Sequence, residues 1–313
     1  MRYTRTAVRL TALLSGLALA ATACGGSSSS SGSSSGPLKG ASFTVGSKEF
    51  TEELILGQIT IQALQNAGAT VDDQTGITGT TNVRKALTSG QIDMYWEYTG
   101  TGWTDILGHE VSAAPKDDKA LYDAVAKEDL GNGVQWFALS SANDTYAIAT
   151  SSDNSAKTLS DYASLANSDP SAASMCLAAE FRDRADGWPG LEKAYGFSLP
   201  DSNITEVDLG IVFTQVPSGG KCHFGEVFAT DGRIPANNMT VLTDDKNFFV
   251  KYDLAMTMNA DLYKKYPEVA TILTPIAQKL TTEELQKLNA KVDVDGLPPE
   301  DVAKTWLSDN GFV

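Results

Sequence analysis

Histidine and cysteine are nearly absent from this chain: two histidines and three cysteines stand among 313 residues. So few imidazoles exclude a histidine-based metal centre and the usual hydrolase triad, and no CxxC or Cys/His spacing offers a metal site in their place. His109 and His223 therefore read as surface or packing residues. Positive charge is scarce as well, with 24 Lys and Arg against 39 Asp and Glu and a formal net charge of -15. Nucleic-acid recognition calls for basic patches, so this balance argues against it. No phosphate loop and no pairing of a nucleophile with a base is present, which points away from an enzyme and from any cofactor. Long apolar runs are missing too. The stretch Leu10 to Ala20 is shorter than the roughly 20 residues a spanning helix needs.

The neighbours of that stretch explain it. Arg2, Arg5 and Arg9 precede it, and the small residues Ala21, Thr22 and Ala23 follow. A basic head, a short apolar run and a small-residue cleavage site read as a secretory signal over residues 1–23, with a buried N-terminal helix as the structural alternative. Ala-Thr-Ala-Cys24 resembles the lipobox of bacterial lipoproteins, with Ala21 where most carry leucine. The resemblance implies that Cys24 is lipidated and anchors the chain to the outer face of the cell membrane. Gly25 to Gly36 is almost pure Ser and Gly, so residues 24–36 read as an anchor and flexible tether. In an oxidising exterior the remaining cysteines, Cys176 and Cys222, tend to pair as a disulfide. Two free buried thiols are the alternative.

The stretch from Pro37 to Val313 is long enough for a sizeable core and most naturally two lobes. Ser42 to Gly46 alternates as a strand, and Thr51 is placed to cap a helix with Glu52 and Glu53 in its first turn. Leu56, Ile59, Ala63 and Leu64 recur at helical spacing until Gly68. Further helices are expected over Val83 to Ser89, Ala120 to Glu128, Leu159 to Ala166 and from Gly187 to Tyr195. Ile92 to Trp96, Thr145 to Ala149, Ser174 to Ala179, Glu226 to Ala229 and Thr240 to Leu242 read as strands. The tail from Ala260 to Leu307 is helical, with Thr281 as a cap. Strands alternating with helices predict an α/β architecture with largely parallel sheets.

Aromatic residues sit at several strand ends: Tyr95, Trp96 and Tyr98 before Thr99-Gly-Thr-Gly102, Tyr146 after Asn-Asp-Thr, Phe228 before Ala-Thr-Asp-Gly, and Tyr252 after Phe-Phe-Val-Lys. Ligands of open α/β sheets bind beyond strand carboxyl ends, where aromatic faces would hold a cation such as a quaternary ammonium. Taken singly, each ring reads first as core. The strings Val45-Gly-Ser-Lys-Glu-Phe-Thr-Glu-Glu-Leu-Ile-Leu-Gly57 and Glu97-Tyr-Thr-Gly-Thr-Gly102 resemble the substrate-binding proteins of ABC importers for glycine betaine and related osmoprotectants. Ala179-Glu-Phe181, Ala185-Asp-Gly187, Ala229-Thr-Asp-Gly-Arg233 and Leu242-Thr-Asp-Asp-Lys246 follow in that family's order.

The resemblance implies a type II periplasmic-binding-protein fold, in which two α/β lobes close on a ligand. Residues 37–143 plus 245–313 would form one lobe and 144–244 the other, with hinges near 141–146 and 243–252. The family's aromatic box falls on Tyr98, Tyr146, Phe228 and Tyr252, Phe228 standing where a tyrosine is usual. Its carboxylate grip falls on Lys48, Thr101 and Arg184, a chemistry of charge-assisted hydrogen bonds. Glu180 matches the residue that bridges the lobes or orients the arginine; a helix-cap role is the alternative. The implied function is capture of a quaternary-ammonium zwitterion, foremost glycine betaine, by a monomer that delivers it to an ABC permease subunit. Choline, carnitine or an ectoine-like solute are the alternative ligands, and a sensor without transport the alternative role.

Overall fold

The computed structural model describes residues 36–183 and 187–313. The signal, Cys24 and the tether up to residue 35 lie outside the described residues, as does Arg184. Ten strands follow in chain order: β1 Ser42–Gly46, β2 Thr70–Gln74, β3 Met94–Tyr98, β4 Val134–Phe137, β5 Tyr146–Ser151, β6 Met175–Leu177, β7 Ile204–Glu206, β8 Phe224–Phe228, β9 Met239–Val241 and β10 Leu254–Asn259. They form two five-stranded sheets, ordered β2-β1-β3-β10-β4 and β7-β6-β8-β5-β9.

The two sheets share one plan. Each has a parallel trio, β2-β1-β3 or β7-β6-β8, followed by two strands of which the inner one is antiparallel to both its neighbours. In the first sheet that inner strand is β10, which arrives after the chain has built the second sheet; in the second it is β5, which arrives directly from the first. The expectation of largely parallel sheets is therefore corrected: the sheets are mixed. A βαβ crossover keeps consecutive strands parallel, but β5 and β10 enter by crossing between sheets and so run the opposite way. The chain crosses after β4, between Phe137 and Tyr146, and again after β9, between Val241 and Leu254.

Both faces of each sheet are covered, which explains the near-continuous burial of the central strands. On one face of the first sheet Met94, Trp96 and Tyr98 of β3 and Leu254, Met256 and Met258 of β10 pack on helices Thr51–Asn66, Glu268–Ala277, Thr282–Asp293 and Pro299–Asp309. On the other, Tyr95, Trp136 and Ala255 meet Val83, Leu87, Leu121 and Val125. Tyr95 and Trp96 are thus core rings. Two further clusters flank the second sheet. There Cys176 of β6 is joined by a disulfide to Cys222, just before the neighbouring β8, with Cα atoms 5.6 Å apart.

One local expectation is corrected. Thr51 is the first helical residue of Thr51–Asn66 and Phe50 holds the cap position without a side-chain bond. The Thr51 hydroxyl instead donates to Asp293 Oδ1 at 2.6 Å, at the end of helix Thr282–Asp293. Thr281 does cap its helix, accepting from the Glu284 amide.

A buried acid ties the second face of the first sheet together. Asp129, fully buried, accepts from the Arg84 guanidinium through both oxygens, from Trp136 Nε1 at 2.7 Å and from Asn132 Nδ2 at 3.0 Å. Replacing Asp129 by Ala strands a mostly buried guanidinium and an indole N–H, and should cost about 3–5 kcal/mol. Urea unfolding of the ligand-free protein measures this; a loss under about 1 kcal/mol would refute the assignment.

Candidate ligand-binding site

A cleft of about 470 Å³ is lined from both sheets. Lys48, Tyr98, Thr101, Tyr146, Phe228 and Tyr252, all expected from the sequence as ligand contacts, stand on its wall. Arg184 lies outside the described residues, and Glu180 is placed only by its backbone, in the short helix Ala179–Asp183.

Strand geometry brings the rings together. Tyr146 opens β5 and Phe228 closes β8, and antiparallel pairing sets them directly opposite each other. Their centroids are 5.1 Å apart, within the range of favourable ring contacts. Tyr252, just before β10, meets Tyr146 edge-on at 6.4 Å. The Tyr252 ring is seated on Gly100: a Cβ there would stand 2.7 Å from two of its ring carbons and 2.8 Å from the Lys251 carbonyl oxygen. The glycines of Thr99-Gly-Thr-Gly102 thus serve close packing, not phosphate binding. Tyr98 ends β3, and Phe50 stacks beside it at 6.3 Å.

Charge in the cleft is mostly acidic. Lys48 is buried and its Nζ lies 2.5 Å from Glu97 Oε1 and 4.9 Å from the centre of the Tyr98 ring. Burial opposes the Lys48 charge, yet the Glu97 and Glu53 carboxylates outweigh it and hold the ammonium above its ordinary range. Glu97 also accepts from the Tyr95 hydroxyl and the Tyr98 amide. The other cation of the described lining, Arg233, donates to both oxygens of Asp231 and lies over the Phe213 ring at 4.3 Å. Each is therefore already paired with an acid.

Among the described residues, Glu52 and Asp144 face the cleft with no ion pair of their own. Glu52 accepts from the Tyr98 hydroxyl at 2.8 Å and from Asn289 Nδ2 at 3.0 Å, and burial raises its pKa despite these bonds. Asp144 accepts from the Thr230 hydroxyl at 2.5 Å; burial, then the neighbouring Glu52, pushes it well above the carboxylate range. Aromatic faces beside carboxyl groups make a receptor for a cation, the rings through their quadrupole and the acids through charge. Among the described residues no group of His, Cys, Asp and Glu is arranged to hold a metal.

Glu52, Asp144, Thr230, Arg233, Asn289 and Phe50 were not among the expected contacts. Glu52 and Glu53 read as dipole-favoured acids of a first helical turn, but both are buried. Asn289 did leave a signal: it is a polar residue on the buried stripe of its helix, beside Leu285 and Leu288.

A family model for the substrate binding domain of ABC-type glycine betaine transport systems matches residues 41–309. The chain is 31% identical over 275 residues to a glycine-betaine-binding protein of Pseudomonas aeruginosa, covering 85% of this chain and 87% of that one. It is 32% identical over 285 residues to the glycine betaine-binding protein YehZ of Escherichia coli, covering 88% and 93%. The structure of apo YehZ from Escherichia coli superposes with a TM-score of 0.75 at 30% identity, over 87% of this chain and 99% of that one.

The buried acids also set a pH dependence. Burial, above all, pushes Glu53 up to about 8 from an ordinary 4.5; its Oε2 accepts from the Lys48 amide and its Oε1 has no partner among the described residues. An acid raised in the folded state contributes stability below its unfolded pKa and loses it as pH rises through the folded one. Glu53→Gln should therefore flatten the fall in thermal midpoint of the ligand-free protein between pH 5 and 8. An unchanged slope would show that Glu53 is ionised throughout.

Proposed function

We infer the function from one premise: this chain belongs to the family of substrate-binding domains of ABC-type glycine betaine transport systems. Its fold is the type II periplasmic-binding-protein fold, and its class is that of extracytoplasmic solute-binding proteins, not enzymes. The ligand is a quaternary-ammonium zwitterion, foremost glycine betaine, and the partner is an ABC permease. The observation that carries this reading is the gathering of Tyr98, Tyr146, Phe228 and Tyr252 on one cleft beside buried carboxyl groups.

The trimethylammonium head sits among these four rings. A phenyl at Phe228 still offers its quadrupole to the cation and lacks only the hydroxyl. The ligand carboxylate is taken by Thr101 and Arg184, with Lys48 as a cation shared with Glu97. The two sheets are the cores of two lobes, 37–143 plus 245–313 and 144–244, and closure between them buries the ligand. Lipidation at Cys24 and the tether through residue 36 hold a monomer near its permease, where effective concentration favours delivery.

A second reading is a cation without a carboxylate, such as choline. It is favoured by the Lys48–Glu97 pair, which leaves little of the lysine for an anion, and by Glu52 and Asp144. Calorimetric titration with glycine betaine, proline betaine, choline, carnitine and ectoine separates the two. A zwitterion should bind more tightly than choline; the reverse order replaces the first reading with the second. Tyr252→Ala should lower the affinity for the preferred ligand by about 1–2 kcal/mol, whereas Tyr252→Phe keeps the ring face and most of the affinity. An unaffected Tyr252→Ala would mean that the box is misplaced.

A further inference from the structure

Helix Thr282–Asp293 belongs to the body of the first sheet, and the segment Ala229 to Arg233 follows β8 of the second. The two meet backbone to backbone. A Cβ on Gly232 would stand 2.2 Å from the Ala290 nitrogen and 2.5 Å from the Gln286 carbonyl oxygen. Real side chains do not approach so closely, so only glycine lets this segment seat on the helix. Two side chains of the helix then reach across: Gln286 Nε2 donates to the Ala229 carbonyl at 2.7 Å, and Asn289 Nδ2 to the Thr230 carbonyl at 2.9 Å.

Asn289 does more than join two backbones. The same amide nitrogen donates to Glu52, and Glu52 in turn holds the hydroxyl of Tyr98. Asn289, Glu52, Thr230 and Tyr98 are all buried, and Thr230 continues the chain to Asp144. Asn289 Oδ1, also buried, has no partner among the described residues. Leaving a buried acceptor unpaired is unfavourable, so the side chain gives up its acceptor to place its donor between the two bodies.

We propose that Asn289, seated by Gly232 and flanked by Gln286, is a closure latch that couples the meeting of the two bodies to the orientation of Tyr98. Opening breaks the bond to Thr230; Glu52 then loses the constraint that its amide partner gains from the far body. Asn289 is a positioning residue: it acts on the ligand through Glu52 and Tyr98. The latch rests on the solute-binding reading, and it governs how long a captured solute stays.

Stopped-flow measurement with glycine betaine should show the dissociation rate of Asn289→Ala raised about tenfold, as for a lost hydrogen bond to a charged group. The association rate should stay near that of the parent, and the ligand-free thermal midpoint should fall only by the cost of the lost Asn289–Glu52 bond. An unchanged dissociation rate overturns the proposal, as does an association rate lowered as much as the dissociation rate is raised. A second experiment needs no ligand. In Gln286→Cys with Ala229→Cys, mild oxidation should trap the sampled closed state as a cross-link, identified by peptide mass. Adding Gly232→Val or Asn289→Ala should slow that cross-linking several-fold. A cross-link that forms at an equal rate in the added variants refutes the latch. Failure of all five solutes to bind, with cross-linking slowed as expected, would instead refute the ligand assignment and keep the latch.

Discussion

The architecture of the cleft depends on a single buried ion pair. Lys48 follows β1 and Glu97 lies in β3, neighbouring parallel strands whose carboxyl ends open on the site. Neither charge is exposed enough to be hydrated, so each requires the other. Glu97 is saturated by Lys48, the Tyr95 hydroxyl and the Tyr98 amide, which fixes the turn where β3 gives way to Thr99-Gly-Thr-Gly102. That turn supplies Thr101 to the wall and, at Gly100, the seat for Tyr252. Removing either partner would leave an uncompensated charge at the base of the site, and a buried pair broken in this way typically costs about 3–5 kcal/mol.

The pair also changes what the cleft can recognise. A lysine beside a free pocket is an anion receptor; a lysine already neutralised at 2.5 Å is a shared one. Around it stand Glu52, Glu53 and Asp144, all raised by burial. Under the proposed function, a positive ligand head entering this environment would stabilise the ionised acids, and the low local polarity would strengthen that attraction. The aromatic rings would add cation affinity without adding to the desolvation cost of fixed charge. Burial of carboxyl groups would thereby become part of the binding energy.

The two bodies meet through the same residues. The Ala229 to Arg233 segment touches helix Thr282–Asp293 at Gly232, and the hydrogen bonds run from Tyr98 through Glu52 and Asn289 to Thr230 and Asp144. Groups far apart in sequence thus share one buried network, in which the geometry of each depends on the others.

Local sequence by itself determined much of this protein. Alternation placed Ser42–Gly46 as a strand, and a helical repeat through Leu56, Ile59 and Leu64 placed the helix that follows. The family resemblance carried by the motif strings implied Tyr98, Tyr146, Phe228 and Tyr252 as a set, and the fold brings all four to one cleft. Tertiary structure alone decided the rest. Strand direction in β5 and β10 follows from crossings between sheets, which no local pattern records. The Lys48–Glu97 partnership joins residues 49 apart in sequence, and the Asn289–Glu52 contact joins residues 237 apart. An acid in a first helical turn reads the same whether it meets water or a buried tyrosine; only packing decides which, because desolvation depends on what covers the group and not on its neighbours in the chain.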